Sequence, residues 1–234
     1  VNCLKNKVIA AVTNILICAV IAATALVGFY GGSAVTVSEH DENVFYSSRA
    51  QDAVSLMFLA DGSGEDTDGV LDALKECGAK ATFFIKGSWA DDNTSTVRKI
   101  YSSGCEVATA GYFADDYSTL SFDSTVEDIS PSVSFLKVSC GAEVSLFMPS
   151  GLSFCENTVR ACSVLGLKLI MCGKNVCGYD DAEEIFAHAT ENLQAGDFIL
   201  LSPTRAATEA LPLIINYIEK CGFAACTVSE ALSR

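Results

Sequence analysis

The side chains able to do acid–base or metal chemistry are few and unevenly placed. The chain has two histidines, His40 and His188, and eleven cysteines. His188 sits in the run HATENL with Ala182, Ile185 and Ala189 on the apolar side, the pattern of a helix-edge imidazole. His40 lies far upstream in a polar stretch. Carboxylates gather instead in two short runs: Asp61, Glu65 and Asp66, then Asp115 and Asp116. An all-oxygen donor set would favour calcium, magnesium or manganese over zinc. The plainer reading of both runs is solvated loop acid, and Asp61-Gly62-Ser63-Gly64 is a good turn sequence in its own right. Cys172-x4-Cys177 and Cys221-x4-Cys226 lack the two-residue spacing of a redox or zinc knuckle. A thiol nucleophile would need a base, and no histidine is placed to serve. Ser202 follows an apolar run but lacks a Gly-x-Ser-x-Gly elbow. Trp89 and Tyr112 suit stacking on a flat ligand face or plain packing equally well.

Positioning these groups requires an alternation of strand and helix. Residues 53–59, AVSLMFL, read as a buried strand, and Val70, Leu71, Leu74 and Cys77 share a helical stripe. The rhythm continues with a strand at 79–85, a helix at 92–103 and a strand from Glu106. Val126, Ile129, Val133 and Leu136 mark a third helix, whose start Pro131 should weaken or delay. Strands are expected at 144–147, 168–171, 197–201 and 223–228, and helices at 157–165, 182–193 and 207–218. About seven such units imply a parallel sheet with helices outside it. Function in such folds collects at the C-terminal strand ends, where Asp61, Asp115, Asp116, Cys172 and Ser202 fall.

The composition narrows the partners. The chain has 234 residues, half of them apolar, and a net charge of −14. Lys and Arg total 15 and are not clustered, which argues against a nucleic-acid partner. Val8 to Tyr30, VIAAVTNILICAVIAATALVGFY, carries no charge. As a helix its 23 residues would rise about 35 Å, enough to cross a hydrocarbon core of roughly 30 Å. Lys5 and Lys7 precede it and all 29 acids follow it, so residues 1–7 are expected in the cytoplasm and Gly31 onward outside the cell membrane, which the chain crosses once. The alternative is a cleaved signal peptide, for which Ala22-Ala23-Thr24-Ala25 offers small residues. The expected organisation is a cytoplasmic end (1–7), a transmembrane helix (8–30), a tether (31–51) and one α/β domain (52–234). Nine cysteines lie beyond the span. Export would permit disulfides, and the odd number leaves at least one thiol free or paired between chains.

Several runs resemble the polysaccharide deacetylase family, the NodB homology domain of carbohydrate esterase family 4. VLDALKECGAKATFFIKGSWA (70–90) is similar to the helix–strand unit after the family's first motif. VRKIYSSGCEVATAGY (97–112) is similar to the run into the second. FMPSG (147–151) falls where an arginine-proline motif stands. AGDFILLSPT (195–204) and EALPLIINYIEKCGFAACTVSEAL (209–232) are similar to the closing motif and last helix. The resemblance implies a distorted (β/α)7-type barrel of the glycoside hydrolase/deacetylase kind. It also implies a sugar-polymer theme: members remove acetyl groups from N-acetylated glycans such as chitin or peptidoglycan. They use one metal, commonly zinc, held by an aspartate and two histidines, with a second aspartate as base and a late histidine as acid.

Set against that pattern, this chain departs at every chemical position. Leu59 and Ala60 follow Phe58 where the aspartate pair is expected, with Asp61 one place later. Ala110 and Ala114 stand at the two histidine positions, Met148 at the orienting arginine and Ser202 at the late histidine. The resemblance therefore implies a catalytically silent, membrane-anchored domain without cofactor, whose partner is cell-wall glycan or another envelope protein. An intermolecular disulfide stays open. The competing expectation is an active deacetylase with a rebuilt carboxylate site at Asp61, Asp115 or Asp116, holding zinc or another divalent ion. A third is a purely structural tethered module.

Overall fold

Eight consecutive buried residues, AVSLMFLA, make β2 (Ala53–Ala60) the centre of the molecule. A strand buried on both faces reads as a continuous apolar run and belongs to a parallel sheet covered on each side. The computed structural model describes residues 43–62 and 66–234. Within them lie β1 (Val44–Phe45), β2, β3 (Thr82–Ile85), β4 (Glu106–Thr109), β5 (Leu146–Phe147), β6 (Lys168–Ile170), β7 (Lys174–Asn175), β8 (Phe198–Leu201) and β9 (Ala224–Cys226). The helices are α1 (Thr67–Glu76), α2 (Gly87–Asp92), α3 (Thr94–Ser102), α4 (Phe122–Cys140), α5 (Glu156–Leu165), α6 (Ala182–Thr190), α7 (Arg205–Lys220) and α8 (Val228–Leu232). The strands pair in the order β1-β6-β5-β4-β3-β2-β8-β7, with β9 also on β2, and every named pairing is parallel. The result is a curved half-barrel with an open strand path rather than a closed ring of seven units.

The two faces of the sheet are separated by the period of the pleat. Val54, Leu56, Phe58 and Ala60 join the outer cluster with Val70 and Leu74 of α1, Val97 and Ile100 of α3, and Ile214 and Ile218 of α7. Met57 and Leu59 join the inner cluster with Phe84, Ala108, Ala110, Leu146, Met148, Phe198 and Leu200. A third cluster seats α4 and α5 against the sheet through Ile129, Val159 and Cys162, around Tyr117 and Phe147.

Most expected elements occur, with instructive exceptions. α4 begins at Phe122, not after Pro131: Ser121 caps it by accepting from Ser124 N, and Pro131 lies inside the helix. The proline is exposed while Thr125, Ile129, Ser132 and Leu136 are buried. Water can therefore serve the carbonyl that the ring leaves without a donor, and the packed face holds the helix together. The expected tether is described only from residue 43, and there Val44 and Phe45 pair with Leu169 and Ile170. The chain does not end on a strand: after β9, Thr227 and Glu230 form a capping box that starts α8. Val228 and Ala231 of α8 then join the inner cluster. Among the described residues no helix is long and apolar enough to cross a membrane; the expected span 8–30 lies outside them, as does His40.

Candidate functional site

At the C-terminal ends of the strands the pleat delivers one layer of inward-facing positions. Lys86 continues β3 in extended conformation (φ −76°, ψ 129°), two places after inward Phe84. Ser202 is two places after inward Leu200, and Asp61 two places after inward Leu59. Ala110 and Met148 complete the layer from β4 and β5, both fully buried.

Leu59, Ala110 and Met148 are apolar and packed in the inner cluster. Burial of a Leu or Met side chain contributes roughly 1.5–3 kcal/mol, so these positions act in packing. Ala60 faces the other way, into the outer cluster. Ala114 packs against the cluster around Tyr117. Ser202 is buried and hydrogen-bonds Cys177. The Cys177 thiol is pushed up, first by burial and then by the Asp61 charge, while the Ser202 bond opposes the shift. Burial and the neighbouring Cys177 push Cys172 up to about 11. Both thiols thus border the mouth in their protonated form. From Cys77 onward all nine cysteines are unbridged.

The acids expected to rescue a metal site go to separate partners. Asp115 takes an ion pair from Lys86 and a hydrogen bond from Ser150 Oγ at 2.8 Å. Its carboxyl is held below the usual carboxylate range, chiefly by the Lys86 bond and then by Ser150. Asp116 accepts from Ser118 N at 2.8 Å and Ser153 Oγ at 2.7 Å. Those serine bonds lower it to about 2. Asp66 caps α1 and accepts from Thr208 Oγ1 at 2.8 Å; Glu65 lies outside the described residues. Among the described residues, no three His, Cys, Asp or Glu side chains are grouped to hold a metal ion. The donor set at the mouth does not fit the aspartate–two-histidine cage that the resemblance implies. His188 is exposed on α6, stacked on Tyr179 with ring centroids 4.5 Å apart.

Groups that sequence reasoning passed over organise this side of the mouth. Asp128 of α4 accepts from the backbone N–H of Tyr112 (2.8 Å), Phe113 (2.9 Å) and Ala114 (3.2 Å) and from the Tyr117 hydroxyl. One carboxylate thus fixes the loop after β4. Burial, followed by that bond, pushes the Tyr117 phenol up. Gly111 lies at φ +84°, where a Cβ would run into Tyr117 Oη and, at 2.8 Å, Asp128 Oδ2. The same loop is zipped to the next one: Gly151 N donates to Asp115 O at 3.0 Å, and a Cβ on Gly151 would stand 2.6 Å from that oxygen. Phe113 is 72% exposed, with its ring 4.6 Å from Tyr112. Lys86 is the last of them. Its signal was legible, because Thr82, Phe84 and Lys86 share the period-2 face; nothing in the helical pattern of 122–140 distinguishes Asp128 as a loop clamp.

A parallel half-barrel with helices outside it and its polar groups at the strand ends defines the class. The polysaccharide deacetylase family model matches residues 47–170, and the chain belongs to that family. It is 28% identical over 188 residues to a bifunctional xylanase/deacetylase of Pseudobutyrivibrio xylanivorans, covering 79% of this chain but 31% of the relative's length. It is 28% identical over 177 residues to a peptidoglycan-N-acetylglucosamine deacetylase of Bacillus cereus, covering 71% of this chain and 81% of the relative. A crystal structure of a CE4-family pseudoenzyme from Bacillus anthracis superposes with a TM-score of 0.77 at 23% identity, covering 81% of this chain and 68% of that one.

Proposed function

We propose that this chain is a catalytically silent deacetylase-like domain that binds N-acetylated glycan of the cell envelope at the strand-end mouth. We further propose that residues 8–30 anchor it in the membrane with residues 31–234 outside. The observation that supports this best is the composition of the inward layer: Leu59, Ala110 and Met148 are buried packing groups, and Ser202 is buried on a thiol. Family chemistry needs a cation to polarise the amide and a base to take a proton from water. Asp115 and Asp116, two of the three candidate acids, are committed to Lys86 and to serines. The glycan theme rests on the family and on the aromatic rim of Tyr112 and Phe113.

The test is metal analysis of the purified full chain beside deacetylase assays on N-acetylglucosamine oligomers. The expected result is no stoichiometric divalent ion and no released acetate. Turnover abolished by Asp61→Asn would replace this reading with the rebuilt-site enzyme. Anchoring is checked by alkaline extraction of membranes, which should leave the chain in the pellet.

A further inference from the structure

A second polar site lies at the opposite end of the sheet from the mouth. The loop 77–81, which leads from α1 into β3, and the turn 103–105, which leads from α3 into β4, border a cavity of about 480 Å³. That volume falls in the range of small-molecule sites. Its floor is apolar, with buried Leu74 and Cys105. Its rim carries Lys75, Lys80 and Lys99. Lys99 pairs with Asp68 at 2.6 Å. Among the described residues no carboxylate forms an ion pair with Lys75 or Lys80. Lys75 and Lys99 lie in the last turns of α1 and α3, where an ammonium also offsets the helix dipole. Lys80 lies on no helix. Its side chain crosses to the turn after α3, where its Nζ is 3.9 Å from the place a Cβ on Gly104 would take.

The three ammonium groups outnumber Asp72 on the rim and Asp68 beside it. Charges more than about 8 Å away are largely screened at physiological salt, so the acid excess elsewhere on the chain does not cancel this local surplus. Two unpaired ammonium groups on different segments suit a doubly charged anion better than a single carboxylate. A phosphate monoester carries about −1.5 to −2 charge at neutral pH and three acceptor oxygens. The serine side of the rim asks for the reverse. Ser102 Oγ donates to Lys99 O at 3.1 Å and Ser103 Oγ to Ile100 O at 2.7 Å. Each hydroxyl has thus used its single proton and offers lone pairs. A ligand that meets them must itself donate, as a sugar or polyol hydroxyl does.

We propose that this cavity binds a phosphate monoester of a sugar or small polyol, with Lys75 and Lys80 donating to the phosphate and the ligand's hydroxyls donating to Ser102 and Ser103. The site is separate from the mouth and does not depend on the glycan reading.

The full chain in uncharged detergent micelles is titrated calorimetrically with glucose 6-phosphate, glucuronate, glucose and inorganic phosphate. Glucose 6-phosphate should bind at least about tenfold more tightly than each of the other three. Lys80→Met and Lys75→Met should each weaken it about fivefold. Lys168→Met removes the same charge from the exposed start of β6 and should leave binding within about twofold of wild type. Hydrogen exchange should slow in residues 77–81 and 102–105 when glucose 6-phosphate is added and stay unchanged in 112–118 at the mouth. Glucose 6-phosphate bound no more tightly than glucose, equal weakening by Lys80→Met and Lys168→Met, or protection confined to 112–118 overturns the proposal. Inorganic phosphate or glucuronate bound as tightly as glucose 6-phosphate overturns the assignment of the ligand. Should Lys80→Met fail to fold, the four ligands and the exchange map on wild type still decide.

Discussion

The two sides of the mouth are built on different physics. Beyond β3, β4 and β5 the loops are tied by charge and hydrogen bonds: Lys86 to Asp115, Ser150 to Asp115, Ser153 to Asp116 and four donors to Asp128. Beyond β6 and β8 the lining is thiol and hydroxyl: Cys172, Cys177 and Ser202 pack at the edge of the inner cluster. A polar network holds a loop in one geometry because each unmade bond is costly. A thiol lining is held by burial, which is non-directional and tolerant. The first side is thus suited to recognition, and the second fills space.

The largest expected effect of breaking that contrast is at Asp128. Asp128→Ala leaves three backbone N–H groups without their acceptor and strips the buried Tyr117 hydroxyl of its partner. Unsatisfied groups of this kind cost about 1–3 kcal/mol each when water cannot replace the bond. The loop is partly exposed, so a total of about 3 kcal/mol is expected in chemical denaturation. Asp128→Asn should recover part of it. A loss below about 0.5 kcal/mol would show that the clamp is redundant.

The thiol side predicts reactivity rather than stability. Alkylation requires the thiolate. With Cys172 pushed up to about 11, roughly one molecule in a thousand carries it at pH 8. Cys162, pushed up to about 12 by burial, should be slower still. Cys221 is exposed and should label first, as read by mass spectrometry of timed iodoacetamide reactions. Rapid labelling of Cys172 in the folded chain would mean that this side opens.

The polar side should instead respond to acid. Asp115 and Asp116 both titrate below their ordinary range. A folded-state value below the unfolded one gives stability that is fully present above about pH 4 and is lost as pH falls through the folded value, about 2 for Asp116. Amide protection, corrected for the intrinsic exchange rate, should therefore fall in residues 115–118 and 150–153 between about pH 4 and 2, while that of residues 172–177 stays unchanged over that interval. Equal loss on both sides would dissolve the contrast.

How much of this was legible in the sequence follows the same division. β2 and β8 were readable as strands because burial on both faces makes each a short continuous apolar run. The α7 stripe of Ala207, Ala210, Leu211, Ile214 and Ile218 was readable because burial there imposes a period of 3.6. Asp115 and Asp116 were visible as acids, but a carboxylate's partner comes from another strand end. Lys86 is 29 residues from Asp115 and Ser150 is 35 residues from it. Asp128 looked like the polar face of a helix. β1 and β7, two residues each, are too short for any pattern and exist only through pairing with β6 and β8. Pro131 misled because local backbone chemistry on the exposed side of α4 weighed less than the buried face opposite it.

The smallest expected effect sharpens the contrast by holding the chemistry constant. Lys99 pairs with Asp68 at 2.6 Å, as Lys86 pairs with Asp115. The Lys99 and Asp68 side chains are 56% and 65% exposed, whereas Lys86 is 13% exposed. An exposed pair is screened by water and salt and must also order two mobile side chains, so Lys99→Met should change stability by about 0–0.5 kcal/mol. Lys86→Met removes the charge opposite Asp115 from a side chain already immobilised between strand ends and should cost about 1 kcal/mol. Asp115 is largely exposed, and hydration of its freed carboxylate keeps that figure modest. High salt should erase the small Lys99 effect and leave most of the Lys86 effect. If the two substitutions prove equal at both salt levels, the mouth pair is an ordinary surface ion pair and the stiffness ascribed to this side comes from Asp128 alone.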